Sequence, residues 1–464
     1  MDAWALRNAR VIDPASGFDG AADLVVAQGR IQRIGPASGT DLPTLDANGL
    51  IAAPGLIDPH VHLREPGQEE KETIATGAAA AAAGGFTSVC CMPNTEPAID
   101  DDSLIEFVYE RSRKANGARV YPAGAITKGR NGQELAEMGL MAQAGAVAFT
   151  DDGCGVASAS VMRKALAYAG MTGRALMQHC EEPTLGGGAM NAGPLADRLG
   201  LPGWPAVAEH LMLQRDLALV ESLDYPTPYH AQHLSTAGAC ELLREARSRM
   251  LHRLQQDPPP HDALRRFSIT GEASPHHLTL TEDACDHYNT RAKVNPPLRT
   301  TKDRDALIHA VATGVVTLLA TDHAPHTRED KALEFEAAPY GMVGLETALP
   351  LYIEALIDTA ALDWPRLIQL MTTEPARLLG IDAQGRGQLQ EAGDADITLI
   401  DPDARYTLDP ATWATRSHNS PFIGRPAHGR AAATIVAGRI VYLHDPDRLK
   451  GLSTDDAGVP AQTP

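Results

Sequence analysis

The sequence predicts an α/β fold, a (β/α)8 barrel joined to a small β-sandwich domain formed from both termini. Two observations carry this reading. Eight apolar runs alternate with helical patterns through the middle of the chain, and short turn-bounded runs of β texture lie before and after them. A doubly wound open sheet is the alternative use of the same alternation. It would not bring residues from eight strand ends to one axis.

The elements follow in order. Trp4 to Val11, Ala22 to Ala27 and Arg30 to Ile34 are bounded by Gly, Pro, Asp or Asn, as small antiparallel strands are. Barrel strands are expected at 50–63, 86–92, 118–125, 146–151, 174–180, 227–234, 267–274 and 315–322. Helices are expected at Ser103 to Asn116, Gln133 to Ala144, Ser160 to Ala169, Ala208 to Leu223 and Thr236 to Arg249, and the alanine-rich run Ala75 to Ala83 reads as a tightly packed helix. Three consecutive prolines in Gln255 to Asp262 predict an exposed loop. The β texture returns at Asp396 to Ile400 and Ala432 to Val441. The expected division is therefore 1–53 and 385–448 for the sandwich and 54–384 for the barrel. A disordered tail is expected at 449–464, where apolar periodicity is missing.

Composition narrows the function. Of 464 residues, 44% are hydrophobic and 21% charged, the balance of a globular enzyme. A formal net charge of -19 argues against a nucleic-acid or anionic-membrane surface, so an anionic small-molecule substrate would need a local positive site. The first residues lack the basic and apolar regions of a signal peptide, and no uncharged apolar stretch reaches the roughly 18 residues of a membrane span. Six scattered cysteines read as reduced, mostly buried thiols of a cytoplasmic protein. Cys90 and Cys91 are adjacent on a predicted strand and face opposite ways, which argues against a shared metal.

The chemistry concentrates at the predicted strand ends. In Pro54 to Gly67 an apolar run ends in His60 and His62, whose i, i+2 spacing on a strand points both imidazoles to one face. Arg64 follows, placed to hold an anionic group. Asp151-Asp152 end the fourth predicted strand, His179 the fifth, His233 the sixth and Asp322 the eighth. A barrel would converge these residues, and a histidine-rich set completed by carboxylates can hold one or two divalent ions, zinc being the natural choice.

The motifs PGLIDPHVHLREPG, MPN (Met92 to Asn94), FTDDG, HCEE (His179 to Glu182), NPPLR (Asn295 to Arg299) and ATDHAPH resemble, in this order, those of dihydroorotases of the long bacterial type within the amidohydrolase superfamily. The similarity covers nearly the whole chain, through Tyr340-Gly341, Gly344 to Thr347 and Ser420 to Gly424. The resemblance implies that His60, His62, Asp152, His179, His233 and Asp322 are ligands of one or two Zn²⁺ ions, with Asp152 rather than Asp151 as the ligand of its pair. It implies that Arg64, Asn94 and His326 hold a substrate carboxylate, and that Asn295 and the backbone at Tyr340-Gly341 contact the ring. The implied reaction is reversible interconversion of N-carbamoyl-L-aspartate and dihydroorotate in pyrimidine synthesis. The ion would activate water and polarise the attacked carbonyl, while Asp322 relays the proton. A homo-oligomer and a partnership with aspartate transcarbamoylase are both compatible with such a chain.

Three features bear on the alternatives. Hydantoinases, dihydropyrimidinases and allantoinases usually bridge their metals with a carboxylated lysine at the fourth strand, but Ala146 to Gly153 holds no lysine, and Lys128 reads as a solvated loop residue. A catalytically silent homologue serving as structural partner of the transcarbamoylase would have lost ligands, whereas all six are present. Cys154 departs from the aliphatic residue expected there and reads as an inert buried thiol or a weak site of oxidation.

Overall fold

The computed structural model describes residues 3–36, 41–223, 227–256 and 268–450. Eight parallel strands hydrogen-bond in chain order: Leu56–Val61, Phe86–Cys91, Arg119–Gly124, Ala148–Phe149, Ala175–Gln178, Tyr229–Ala231, Ile269–Ala273 and Leu318–Leu319. The ring is joined beyond the last strand, where His323 bridges Val61 and its carbonyl accepts the His62 amide at 2.8 Å. Every described residue of the first two strands is buried, as expected of parallel strands covered on both faces.

The helices pack outside this ring. Ile74–Ala83 starts with a capping box between Thr73 and Thr76, and its buried Gly77 and alanines let it lie close to Leu63, which a Cβ on Gly77 would strike. Asp102–Lys114, Ala159–Thr172 and Val207–Glu221 lie within a few residues of their expected bounds. Two helices differ. Met138–Ala144 begins five residues after the expected Gln133, because Leu135 pairs with Thr127 in an isolated bridge instead. Ala237–Gln256 runs a further two turns past Arg249, so Gln255 and Gln256 are helical; the rest of the predicted proline loop lies outside the described residues.

The chain ends share one mixed sheet of nine strands. Ile51–Pro54 is its seam: it pairs parallel with Ala3–Asp13 on one side and antiparallel with Ile397–Thr407 on the other. Ala432 to Val441 is a hairpin, Pro426–Val436 turning at Ala437-Gly438 into Arg439–Leu443. The sheet has its own apolar core around Trp4, Leu6, Leu24, Ile31, Leu45, Leu399 and Ile435. Leu449–Lys450 pair with Leu45 and Thr44, and the remainder of the predicted tail lies outside the described residues.

The single strand expected at 50–63 is two strands broken at Gly55. A Cβ on Gly55 would lie 2.1 Å from Thr87 Oγ1, so only glycine lets the chain pass from sheet to barrel at this point.

Candidate metal and substrate site

The C-terminal ends of the barrel strands gather all six candidate ligand residues. His60 and His62 share a face with ring centroids 5.3 Å apart, as their spacing requires. Asp152 sits among the imidazoles: its Oδ1 is 3.2 Å from His60 Nε2, 3.7 Å from His233 Nε2 and 3.8 Å from His179 Nδ1, and its Oδ2 is 3.5 Å from His62 Nε2. Asp322 Oδ1 lies 3.0 Å from His62 Nε2 and 3.6 Å from His60 Nε2. Two donor sets result among the described residues, His60 with Asp152 and His233, and His60 with His62 and Asp322, each within 4.8 Å.

This cluster fits a divalent cation. His60 Nε2 and Asp152 Oδ1 are buried and face each other, yet neither makes a hydrogen bond. Buried polar atoms rarely stay unpaired, and a nitrogen and a carboxylate oxygen converging in this way are donors suited to a divalent metal ion. Burial would raise the Asp152 and Asp322 carboxyls, but the surrounding histidines hold both below the usual range, so both remain ionised. His233, Asp322 and Arg64 all take positive φ (28°, 50° and 61°), a backbone strain that concentrates at functional sites.

Acceptors behind the candidate ligands fix their tautomers. His60 Nδ1 donates to Glu272 Oε1 at 2.6 Å, His62 Nδ1 to Asn94 Oδ1 at 2.9 Å and His179 Nε2 to Glu181 Oε2 at 2.9 Å. Each donation turns the other ring nitrogen into the cluster, where His60 Nε2 is unpartnered, His62 Nε2 faces Asp322 Oδ1 at 3.0 Å and His179 Nδ1 faces His233 Nε2 at 2.9 Å. Glu272 also accepts from the His233 amide and faces His230 Nε2 at 3.0 Å, tying the first, sixth and seventh strands together. Sequence reading missed Glu272, although it is the sole charged residue in the expected strand 267–274, a signal that was available. Glu181 stood within the HCEE motif with no role assigned. Asp151 turns away and accepts the Ile126 and Thr127 amides, which leaves Asp152 alone in the cluster.

One pocket opens over the cluster. Its lining includes His62, Asp152, His179, His233 and Asp322 together with Arg64, Asn94, Asn295, His326, Tyr340 and Gly341, so every candidate substrate residue meets every candidate ligand except the fully covered His60. Arg64 Nε donates to Pro325 O at 3.2 Å, and its Nη2 lies 3.4 Å from His326 Nε2. Burial, reinforced by the Arg64 charge, pushes His326 down to about 2, so its ring is neutral and donates from Nε2 to Tyr340 O at 2.7 Å. Asn295 Nδ2 donates to Glu181 Oε2 at 3.0 Å.

Two expectations resolve away from the site. Lys128 is exposed and paired with Glu134 at 2.5 Å. Cys154 is exposed, which corrects the buried-thiol reading, because Gly153 at φ 78° turns the chain outward and Arg130 Nη2 approaches the sulfur at 3.4 Å. The other five cysteines are buried and free, Cys90 and Cys91 among them.

A family model described as dihydro-orotase-like matches residues 49–238. The chain is 46% identical to a dihydroorotase of Pelotomaculum thermopropionicum over 438 residues, covering 94% of this chain and 97% of that protein. It is 43% identical to a dihydroorotase of Trichlorobacter lovleyi, with 94% and 98% covered. The chain belongs to the dihydroorotase family. Its membership extends through the terminal sheet as well as the barrel, since the matches span both. Among solved structures, an L-hydantoinase (dihydropyrimidinase) from Arthrobacter aurescens aligns with a TM-score of 0.81 at 24% identity over 96% of each chain. A dihydropyrimidinase from Brevibacillus agri aligns at 0.78 and 23% over 95% of each. At such identity the likeness shows that this dihydroorotase-family chain shares their barrel-and-sheet fold. No helix among the described residues is long and apolar enough to cross a membrane.

Proposed function

We propose that the chain is a zinc-dependent dihydroorotase, interconverting N-carbamoyl-L-aspartate and (S)-dihydroorotate reversibly in de novo synthesis of UMP. One observation carries this reading: a buried guanidinium, Arg64, shares a pocket with the histidine–aspartate cluster, which suits a ring whose carboxylate would meet Arg64 while its amide lies over the cluster. His60, His62, Asp152, His179, His233 and Asp322 would hold one or two Zn²⁺ ions. When bound, the metal supplies Lewis-acid polarisation of the attacked carbonyl and makes water a stronger acid.

The chain's own residues do the rest. Arg64, Asn94 and His326 receive the carboxylate, and Asn295 with the backbone at Tyr340-Gly341 orients the ring. Asp322, ionised in the pocket, accepts a proton from the attacking water as the new C–O bond forms. The ring C–N bond then breaks, and the proton returns from Asp322 to the departing nitrogen. Ring closure runs through the same steps in reverse.

The division at 53/54 and 384/385, a cytoplasmic location, a homo-oligomer and an association with aspartate transcarbamoylase belong to the same proposal. Sedimentation with and without the transcarbamoylase tests the last two. The decisive assay compares the zinc-loaded protein on dihydroorotate and on hydantoin. Faster turnover of hydantoin would replace this reading with a hydantoinase. Arg64→Ala is expected to raise the dihydroorotate KM by roughly 10- to 100-fold, the worth of one lost charge-assisted anchor, with a smaller change in kcat.

A further inference from the structure

Two buried lysines stand beneath the loop that brings Tyr340 and Gly341 to the pocket. Lys293 is 1% exposed, and its ammonium spends all three protons on main-chain carbonyls: Phe335 O at 2.7 Å, Glu336 O at 3.0 Å and Ala338 O at 2.7 Å. The same ammonium lies 4.4 Å from the centre of the Tyr340 ring, within cation–π range. Lys331 Nζ donates to the next carbonyl, Pro339 O, at 2.7 Å. The Lys293 carbonyl accepts the Gly341 amide at 2.9 Å, and Asn295 follows only two residues along the chain.

Burying two like charges side by side is costly, and among the described residues neither has a carboxylate partner in hydrogen-bond or ion-pair contact. A structural turn needs no such device, since neutral donors could cap its carbonyls. Within the loop Phe335 and Ala338 are buried, whereas Glu334, Glu336 and Ala337 are exposed. Its pocket end, by contrast, is fixed on every side. Tyr340 O accepts a hydrogen bond from His326 Nε2, Tyr340 Oη donates to Gly188 O at 3.0 Å, and the ring meets Trp204 edge-on at 5.6 Å.

We infer that Lys293, assisted by Lys331, is a positioning residue for substrate binding. Its ammonium gathers the carbonyls of 335–338 and seats the Tyr340 ring, so that Tyr340-Gly341 and Asn295 are presented to the ring as one rigid wall. The inference rests on the proposed function for the identity of that ring. Lys293 does not touch the reacting atoms; it sets the shape into which they fit.

The test is Lys293→Met, which keeps the stem and removes the charge. The dihydroorotate KM is expected to rise about tenfold while kcat and zinc content stay within about threefold of wild type, a split produced by losing binding that ground and transition states share equally. Proteolysis at Glu336-Ala337 is expected to become fast and to be slowed again by saturating dihydroorotate. An unchanged KM with an unchanged proteolysis rate in folded, zinc-loaded Lys293→Met protein overturns the inference, as does loss of kcat and zinc with KM unchanged. If Lys293→Met does not fold, Lys331→Met, which removes the Pro339 anchor, carries the same comparison. Wild-type turnover measured in parallel separates the failures: an inactive zinc-loaded wild type sinks the proposed function, whereas an active wild type beside an unaltered variant sinks the role of Lys293.

Discussion

Alanine at His60 is expected to abolish both zinc binding and turnover, with activity falling by at least about 10⁴-fold, since the proposed chemistry has no nucleophile without the ion. His60 belongs to both donor sets, so its loss damages either a one-ion or a two-ion site. The fold should persist, because Glu272 keeps the His233 amide and His230 as partners when His60 is gone. Stability should still fall at neutral pH. Burial alone would raise Glu272, but His60 and His230 hold it at about 2, below its ordinary value. A depressed carboxyl contributes stability that is complete above its unfolded pKa and is lost as pH drops toward the folded value, so the His60→Ala penalty should shrink in acid. Metal analysis with circular dichroism checks both parts. Chelation of the wild type should give the same inactivity, and added Zn²⁺ should restore it. Full turnover by thoroughly metal-free protein would sink the hydrolytic mechanism.

Asp322→Asn is expected to lower kcat by about 10²–10⁴-fold, the usual worth of positioned acid–base catalysis. The substitution is gentle in every other respect. Asparagine matches the shape of aspartate and is among the few residues at ease near φ 50°, the angle this position takes. It keeps an oxygen toward His62 Nε2 and the cluster, but it cannot hold a proton in transit. Since the neighbouring histidines keep the Asp322 carboxyl below its usual range, it is ready to accept a proton across the neutral range, and acid should silence it only at low pH. The acid limb of the pH–rate profile should therefore change in the variant. A zinc-saturated Asp322→Asn protein working within about tenfold of wild type, with its acid limb intact, would make Asp322 a ligand and nothing more.

The barrel was legible because parallel strands, buried on both faces, leave long apolar runs that need no partner to be recognised. Their lengths were not. The runs 146–151 and 315–322 contribute only Ala148–Phe149 and Leu318–Leu319 to the ladder, since the residues after them turn to present Asp152 and Asp322. Hydropathy records burial, and those turning residues are buried too. The candidate ligands were legible as histidines and aspartates at strand ends, a pattern that a barrel converts into proximity. Glu272 was not, because it acts on His60 from a strand far away in sequence, and Glu181, though only two residues from His179, declares no partner until the chain is folded. Cys154, one reading of which was an inert buried thiol because an aliphatic residue is expected at its place, is exposed, and the left-handed Gly153 before it is what turns the chain there.

The break at Gly55 has a consequence for how the polypeptide is made. Ile51–Pro54 leaves the ribosome early, with Ala3–Asp13 available for one of its edges, but the strand that covers its other edge, Ile397–Thr407, is synthesised some 340 residues later. Throughout elongation the nascent N-terminal half-sheet carries an open hydrogen-bonding edge directly upstream of His60. Such an edge is a template for any extended segment nearby, including the same strand on a neighbouring polysome. Closure of the small domain is therefore a late event in biogenesis, and a ribosome stalled before codon 397 would release a barrel with its sticky seam exposed.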